Sequence, residues 1–218
     1  MTITDKQFQL MYRGAALGAV AFFLLALDVY FEGLVYSLDE PVLNTVSALA
    51  PQWVVSFMAV WTDLGSVLVL TIGTLTLAAV ILTVPSFNRW LAVPLAVNMV
   101  GIAVWSTLIK GLVGRERPLL DVAVDGTGFS FPSAHASGAM AFYGFLIVLV
   151  WTGRYPQKTT FIATGILVLL ILSVSLSRLF LEVHYPTDMI GGLLLGLSWL
   201  LFSLYGYRRL IRRGRVTS

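Results

Sequence analysis

Trp53-Val-Val-Ser-Phe-Met-Ala-Val-Trp61-Thr-Asp-Leu-Gly65-Ser-Val-Leu-Val-Leu-Thr-Ile-Gly-Thr-Leu-Thr-Leu-Ala-Ala-Val-Ile-Leu-Thr-Val84 is the stretch on which the fold turns. As one helix it would run about 48 Å at 1.5 Å per residue, far beyond a hydrocarbon core of about 30 Å. Thr62-Asp63-Leu64-Gly65-Ser66 carries turn and cap chemistry and breaks it there. A membrane span is then expected over 66–84. The segment before it, Asp39 to Trp61, mixes Leu43, Val46, Leu49, Val54, Phe57 and Met58 with polar residues and Pro51, and reads as interfacial and partly helical. Five further apolar runs, at about 13–36, 89–109, 134–152, 159–181 and 186–207, complete a predicted all-α bundle of six transmembrane helices.

Composition agrees with this reading. The 218 residues are 58% hydrophobic and only 11% charged, with a mean hydropathy of +0.88, against about 25% charged in a soluble domain. The length suits one integral-membrane domain over 1–218 with no separate soluble domain. Without cysteine there is no disulfide, thiolate nucleophile or thiolate metal site, and the two histidines would need carboxylates to hold zinc. Lys6 and Arg13 ahead of an apolar run resemble a signal peptide. No small-x-small cleavage site follows and the run continues through Val29, Tyr30 and Phe31, so a retained anchor is expected.

The few charges then sort by position. Lys6, Arg13, Arg89, Arg154, Lys158, Arg208, Arg209, Arg212, Arg213 and Arg215 fall on one face, which the positive-inside rule makes cytoplasmic, with both termini. The net charge of +3 therefore reflects topology, and no nucleic-acid partner is implied. The other four cations, Lys110, Arg115, Arg117 and Arg178, lie against this rule at outer span ends. An anion to bind is the obvious reason.

Three segments converge on that face: Lys110 to Pro118, Phe131-Pro132-Ser133-Ala134-His135, and Ser177 to Asp188. Lys110, Arg117 and Arg178 can surround a dianion, with forked arginine donors matching phosphate oxygens. Pro132-Ser133 reads as a helix start, placing the amides of Ala134 and His135 at a helix N-terminus. Asp188, in the first turn of the last span, can reach back to a ring nitrogen of His184, while His135 acts separately. Singly, each residue has an ordinary reading: an interfacial anchor, a helix-start carboxylate, a packed histidine. Their joint placement in three short segments does not.

These residues resemble the signature of the type-2 phosphatidic acid phosphatase superfamily, integral-membrane lipid phosphatases whose active-site architecture is shared with vanadium-dependent haloperoxidases. Lys110, six residues, then Arg117-Pro118 matches its first part; Pro132-Ser133-Ala134-His135 is similar to Pro-Ser-Gly-His; Ser177-Arg178, five residues, His184, three residues, Asp188 matches the third. The motif-bearing core spans about 110–188, and Ala134 stands where the family has glycine. The resemblance implies metal-free, cofactor-free phosphoryl transfer: His184 attacks phosphorus, Asp188 orients it, and His135 serves as acid and base. Lys110, Arg117, Arg178, Ser133 and the Ala134 amide would bind the phosphoryl oxygens, with Arg115 a candidate headgroup contact outside the signature. A bell-shaped pH dependence is expected.

The implied substrate is a membrane lipid phosphate in the bacterial cytoplasmic membrane, with phosphatidylglycerol phosphate, undecaprenyl diphosphate, phosphatidate and diacylglycerol diphosphate all fitting the chemistry. Two other reaction classes compete. An anion channel or transporter would use the basic vestibule but leave the His184–Asp188 pair unexplained. An intramembrane serine protease, suggested by Ser137 and His184, gives three cations no task. Asp28 and Glu32, near the outer end of the first span, either border lipid access or occupy an interfacial last turn.

Overall fold

A computed structural model describes residues 5–118, 128–153 and 155–212. Of the charges assigned above to the cytoplasmic face, Arg154, Arg213 and Arg215 lie outside the described residues. All regular structure among the described residues is helical: α1 (Asp5–Tyr30), α2 (Asp39–Leu49), α3 (Gln52–Trp61), α4 (Val67–Thr83), α5 (Ala92–Val113), α6 (Ala134–Thr152), α7 (Gln157–Phe180) and α8 (Pro186–Arg212), with short 3₁₀ turns between some of them. Five of these are long and apolar enough to cross a membrane, and α4, with 17 residues, is a shorter apolar helix. The protein is thus an all-α, multi-pass membrane protein whose outer surface is apolar. Leu17, Phe23, Leu24, Leu75, Ile166 and Leu169 all face outward.

The break in the 53–84 stretch falls where the residues require it. Thr62–Gly65 forms a 3₁₀ turn, and Ser66 then caps α4, its hydroxyl accepting from the Val69 amide at 3.3 Å. The preceding segment is more ordered than an interfacial stretch requires. It folds into α2 and α3, which meet at 112°. Ala50, preceding Pro51, is extended, because the proline ring disfavours helical backbone in the residue before it. Leu43 of α2 packs against Leu179 and Met189, and Trp61 of α3 donates through Nε1 to Ser173 Oγ at 2.9 Å. The bent pair is therefore seated on α7 and α8.

The first span ends earlier than expected, at Tyr30. Glu32 takes a left-handed φ of 52°, and the Asp28 carboxylate accepts from the amides of Val35 and Tyr36 at 3.3 and 2.8 Å. Asp28 is thus a local cap for the turn that follows. The third span runs on to Val113 and stops at Gly114, which adopts φ 66° and returns its N–H to Lys110 O at 2.9 Å. Only glycine enters this left-handed C-terminal position without penalty.

Helix α6 is central. Ala136, Ala139, Ala141 and Phe145 are fully buried, and the helix packs against α5, α7 and α8, with α1 on the far side of α8. The α6–α8 approach depends on Gly192: a Cβ there would stand 2.6 Å from Ser133 O and 2.9 Å from Ala136 Cβ. Gly192→Ala is therefore expected to destabilise the protein by about 1–3 kcal/mol through overpacking, read as a lower Tm in detergent. An unchanged Tm would show that the two helices are not held at this distance.

Candidate active site

Six chain segments meet at one end of the bundle. They are the turn before α2, the 3₁₀ turn before α4, the end of α5, the approach to α6, the end of α7 and the start of α8. The structure brings together Lys110, Arg117, Ser133, Ala134, His135, Arg178, His184 and Asp188, which lie on four of these segments, and surrounds them with residues from the other two.

His184 sits in the loop between α7 and α8 and is 1% exposed. Its Nδ1 lies 3.3 Å from Asp188 Oδ2 and 3.2 Å from Ser130 Oγ. Its Nε2 lies 3.0 Å from Arg117 Nη1. A guanidinium only donates, so Nε2 accepts and carries the lone pair, which puts the ring proton on Nδ1 facing the carboxylate. Burial is the main force on its ionisation and holds its pKa down to about 3, from an ordinary 6.5. Asp188, by hydrogen bond and charge, pulls the other way, while Arg117 and Lys110 push further down. The imidazole is thus neutral at physiological pH, with its free nitrogen facing the arginine.

Asp188 has no solvent exposure. Its Oδ2 accepts from the Tyr185 amide at 2.8 Å and from Ser130 Oγ, and its Oδ1 accepts from Arg115 Nη1 at 2.9 Å. Pro186 opens α8, so the i,i+4 relation between His184 and Asp188 is set by one helical turn at a proline-started N-terminus.

The cations are placed by oxygen acceptors of neighbouring segments. Lys110, in the last turn of α5, donates to Phe129 O and to Ser130 O, the latter at 3.2 Å. Arg117 donates through Nε to Gly128 O and through Nη1 to Val183 O, both at 2.9 Å. Arg178 is wholly buried and donates through Nη1 to Thr62 Oγ1 at 2.9 Å. The turn that breaks the 53–84 stretch is thus also a wall of the site. Gly65 in that turn lies so close to His135 that a Cβ there would stand 3.2 Å from its Cδ2.

Ser133 caps α6, its Oγ accepting from the Ala136 amide at 3.4 Å. The peptide between Phe131 and Pro132 is cis. The Ser133 N–H is not available to an anion, since it donates to Asp188 O at 3.0 Å. The amides of Ala134 and His135 belong to the first turn of α6 and have no intrahelical acceptor. With the helix dipole they make a positive end of the helix, which suits an anion. His135 is 5% exposed and within electrostatic reach of Arg178, His184, Arg117 and Lys110.

Arg115 departs from its expected place. Instead of facing a headgroup it is buried, ion-paired to Asp39 at 2.7 Å and to Asp188 at 2.9 Å. Four residues of the site were not singled out for it in the sequence: Asp39, Thr62, Ser130 and Thr187. Asp39 and Thr62 come from segments remote in sequence, and no spacing rule connects them to the motifs. Ser130 lies just before the Pro132-Ser133 helix start and Thr187 between His184 and Asp188, so proximity to the motifs was their one signal.

The chain as a whole is similar to proteins of known family. The sequence profile of the PAP2 superfamily matches residues 90–212, more than half the chain and all three motif segments. Phosphatidylglycerophosphatase B of Bacillus subtilis is 28% identical over 94% of this chain and 99% of its own length. Decaprenylphosphoryl-5-phosphoribose phosphatase of Mycolicibacterium smegmatis is 39% identical over 53% of this chain and 59% of its own. The crystal structure of a transmembrane PAP2-type phosphatidylglycerolphosphate phosphatase from Bacillus subtilis superposes with a TM-score of 0.74 at 25% identity, over 89% of this chain and 97% of that one. The chain belongs to the PAP2 superfamily, as a multi-pass membrane phosphatase of that type.

Proposed function

We propose that this protein hydrolyses a lipid phosphate or diphosphate through a phosphohistidine at His184. The observation that carries this reading is the orientation of His184: its proton-bearing Nδ1 faces Asp188 and its lone-pair Nε2 faces Arg117, on the side where Lys110, Arg178 and the α6 N-terminus gather. A phosphoryl group drawn into that cation cluster would take the Arg117 contact for itself and receive the freed nitrogen in line.

The steps balance. Nε2 attacks phosphorus as the bond to the leaving oxygen breaks, and His135, protonated at that moment, gives its proton to that oxygen. The phosphohistidine ring is cationic, and Asp188 stabilises it through the Nδ1 proton. His135, now neutral, takes a proton from water as the water oxygen attacks phosphorus. The P–N bond breaks, inorganic phosphate leaves and Nε2 recovers its lone pair. Three cations and helix-start amides carry the oxyanion charge, and the reaction is proposed to need neither metal nor cofactor.

Phosphatidylglycerol phosphate is the first substrate to test, because the Bacillus subtilis relative that matches 94% of this chain is named for it. The Mycolicibacterium smegmatis relative, named for a decaprenyl-linked phosphate, adds undecaprenyl diphosphate to the panel. The positive-inside distribution supports an outward-facing site, cytoplasmic termini and a bacterial cytoplasmic membrane, with the whole chain acting as one lipid phosphatase domain. Purified protein in detergent with excess chelator is expected to release inorganic phosphate from at least one lipid of this panel, and orthovanadate is expected to inhibit it. No release, or release only after a divalent cation is added, would rule the proposal out. A transporter or an intramembrane protease predicts no release at all.

A further inference from the structure

Arg115 is enclosed on every side. Its Nη1 donates to Thr187 Oγ1 at 2.7 Å and to Asp188 Oδ1 at 2.9 Å, and its Nη2 donates to Asp39 Oδ2 at 2.7 Å. Its Cζ lies over the rings of Tyr185 and Tyr36, 4.0 and 4.6 Å from their centroids, within cation–π range. The side chain is 6% exposed. Both terminal nitrogens are committed within the protein, while Nε is buried without a hydrogen-bond partner.

Asp39 is equally committed. Its Oδ1 accepts from the Thr187 backbone amide at 2.9 Å, and its Oδ2 accepts from Arg115 and from Thr187 Oγ1. A residue from the connection between the first two spans thus caps the helix that carries Asp188 from 148 positions away. Asp39 begins α2, whose Leu43 is seated against Leu179 and Met189. The seat of the bent pair therefore fixes where this cap stands.

We infer that Asp39 and Arg115 are positioning residues of the reaction, Arg115 holding the Asp188 carboxylate in register for His184 and Asp39 balancing the charge of Arg115. This rests on the reading of His184 as nucleophile. The division of labour on Asp188 supports it: Oδ1 is held by Arg115, which fixes the rotation of the carboxylate and leaves Oδ2 for His184, Ser130 and the Tyr185 amide. A lone buried arginine against Asp188 would cancel the negative charge that the imidazole needs as it becomes cationic. Asp39 restores it, since the triplet of two carboxylates and one guanidinium carries a net charge of −1.

The test uses Asp39→Asn, Arg115→Lys, Arg115→Met and the double variant Asp39→Asn/Arg115→Met in the purified protein. Positioning predicts a fall in kcat on the order of 10- to 100-fold for Arg115→Met and Asp39→Asn, as for other residues that orient a reacting group. KM, and inhibition by inorganic phosphate, should stay within about twofold, because the phosphate-binding cations are untouched. Arg115→Lys should recover part of kcat. The double variant should lose little more than Arg115→Met, since both act through Asp188.

A raised KM at unchanged kcat would overturn the inference in favour of a headgroup contact. A loss of activity that vanishes when kcat is expressed per folded molecule, by size exclusion and Tm, would reduce both residues to scaffold. Should Arg115→Met not fold, Asp39→Asn and Arg115→Lys, which keep size and polarity, carry the same test. His184→Ala in the same series separates the two levels. Turnover by that variant would overturn the nucleophile itself, whereas its inactivity beside native kcat in the Asp39 and Arg115 variants would overturn this inference alone.

Discussion

His184→Ala is expected to abolish lipid phosphate release, lowering kcat by at least about 10⁴-fold, the scale on which enzymes lose rate when a covalent nucleophile is removed. The remaining site should still bind, since Lys110 and Arg117 are anchored on backbone oxygens and Arg178 on the Thr62 hydroxyl, none of which depends on the imidazole. Inorganic phosphate should therefore still bind the variant, which separates lost chemistry from lost structure. In the unmodified enzyme, rapid quenching at alkaline pH should trap an acid-labile phosphoenzyme from labelled substrate, and none should form in the variant.

The ionisation of His184 gives the same claim a second readout. A nucleophile must be unprotonated, and burial holds this ring neutral until the pH approaches about 3. Its share of activity is therefore fully present at neutral pH, persists as the pH falls through 6.5 and is lost only far below it. The acid limb of kcat/KM, corrected for the substrate phosphate's own second ionisation near about 6, should lie well under the ordinary histidine value. An acid limb at 6.5 would mean that His184 is solvated in the working enzyme and not held as described.

Asp188→Asn should cost about 10³–10⁴-fold in kcat, although it changes no more than an oxygen to an amide nitrogen. All four groups that meet this carboxylate donate hydrogen bonds: Arg115 Nη1, the Tyr185 amide, Ser130 Oγ and His184 Nδ1. An asparagine places an NH₂ among donors. The least costly relief is for His184 to move its proton to Nε2 and accept at Nδ1, which removes the lone pair from the attacking nitrogen. Asparagine at the corresponding place in a serine protease triad fails through the same wrong tautomer, with a loss of about 10⁴-fold. The substitution also leaves Arg115 with one carboxylate in a buried setting, and breaking a buried ion pair costs about 3–5 kcal/mol. Tm should fall together with kcat, whereas KM should change far less. Retention of wild-type kcat would remove Asp188 from the mechanism.

The parts of the protein legible in the sequence are those with short-range causes. The break at 62–66 could be read because Asp63, Gly65 and Ser66 are turn and cap residues inside a run too long for one span. The start of α6 at Ser133 and the pairing of His184 with Asp188 could be read because capping and an i,i+4 relation act within one helical turn. Arg115 was misplaced for a complementary reason. Two positions from Arg117 in a motif rich in cations, it reads as a candidate headgroup contact, and nothing local to it reveals two carboxylates 76 and 73 residues away.

By itself, then, the sequence determined that this chain crosses a membrane several times as helices, where the 53–84 run breaks and where α6 and α8 start, and which residue types converge at one end of the bundle. Hydrophobic length, capping and the bias of lysine and arginine are properties of single segments, and they leave a direct trace in residue order. Only the tertiary structure decided how the converging groups are shared out. It shows that Thr62 holds Arg178, that Asp39 caps α8 and engages Arg115, and that Nε2 of His184 faces Arg117 while Nδ1 faces Asp188. These are contacts between residues far apart in the chain, fixed by which helices pack together and at what distance, and a buried charge finds its partner in space, where sequence separation has no bearing.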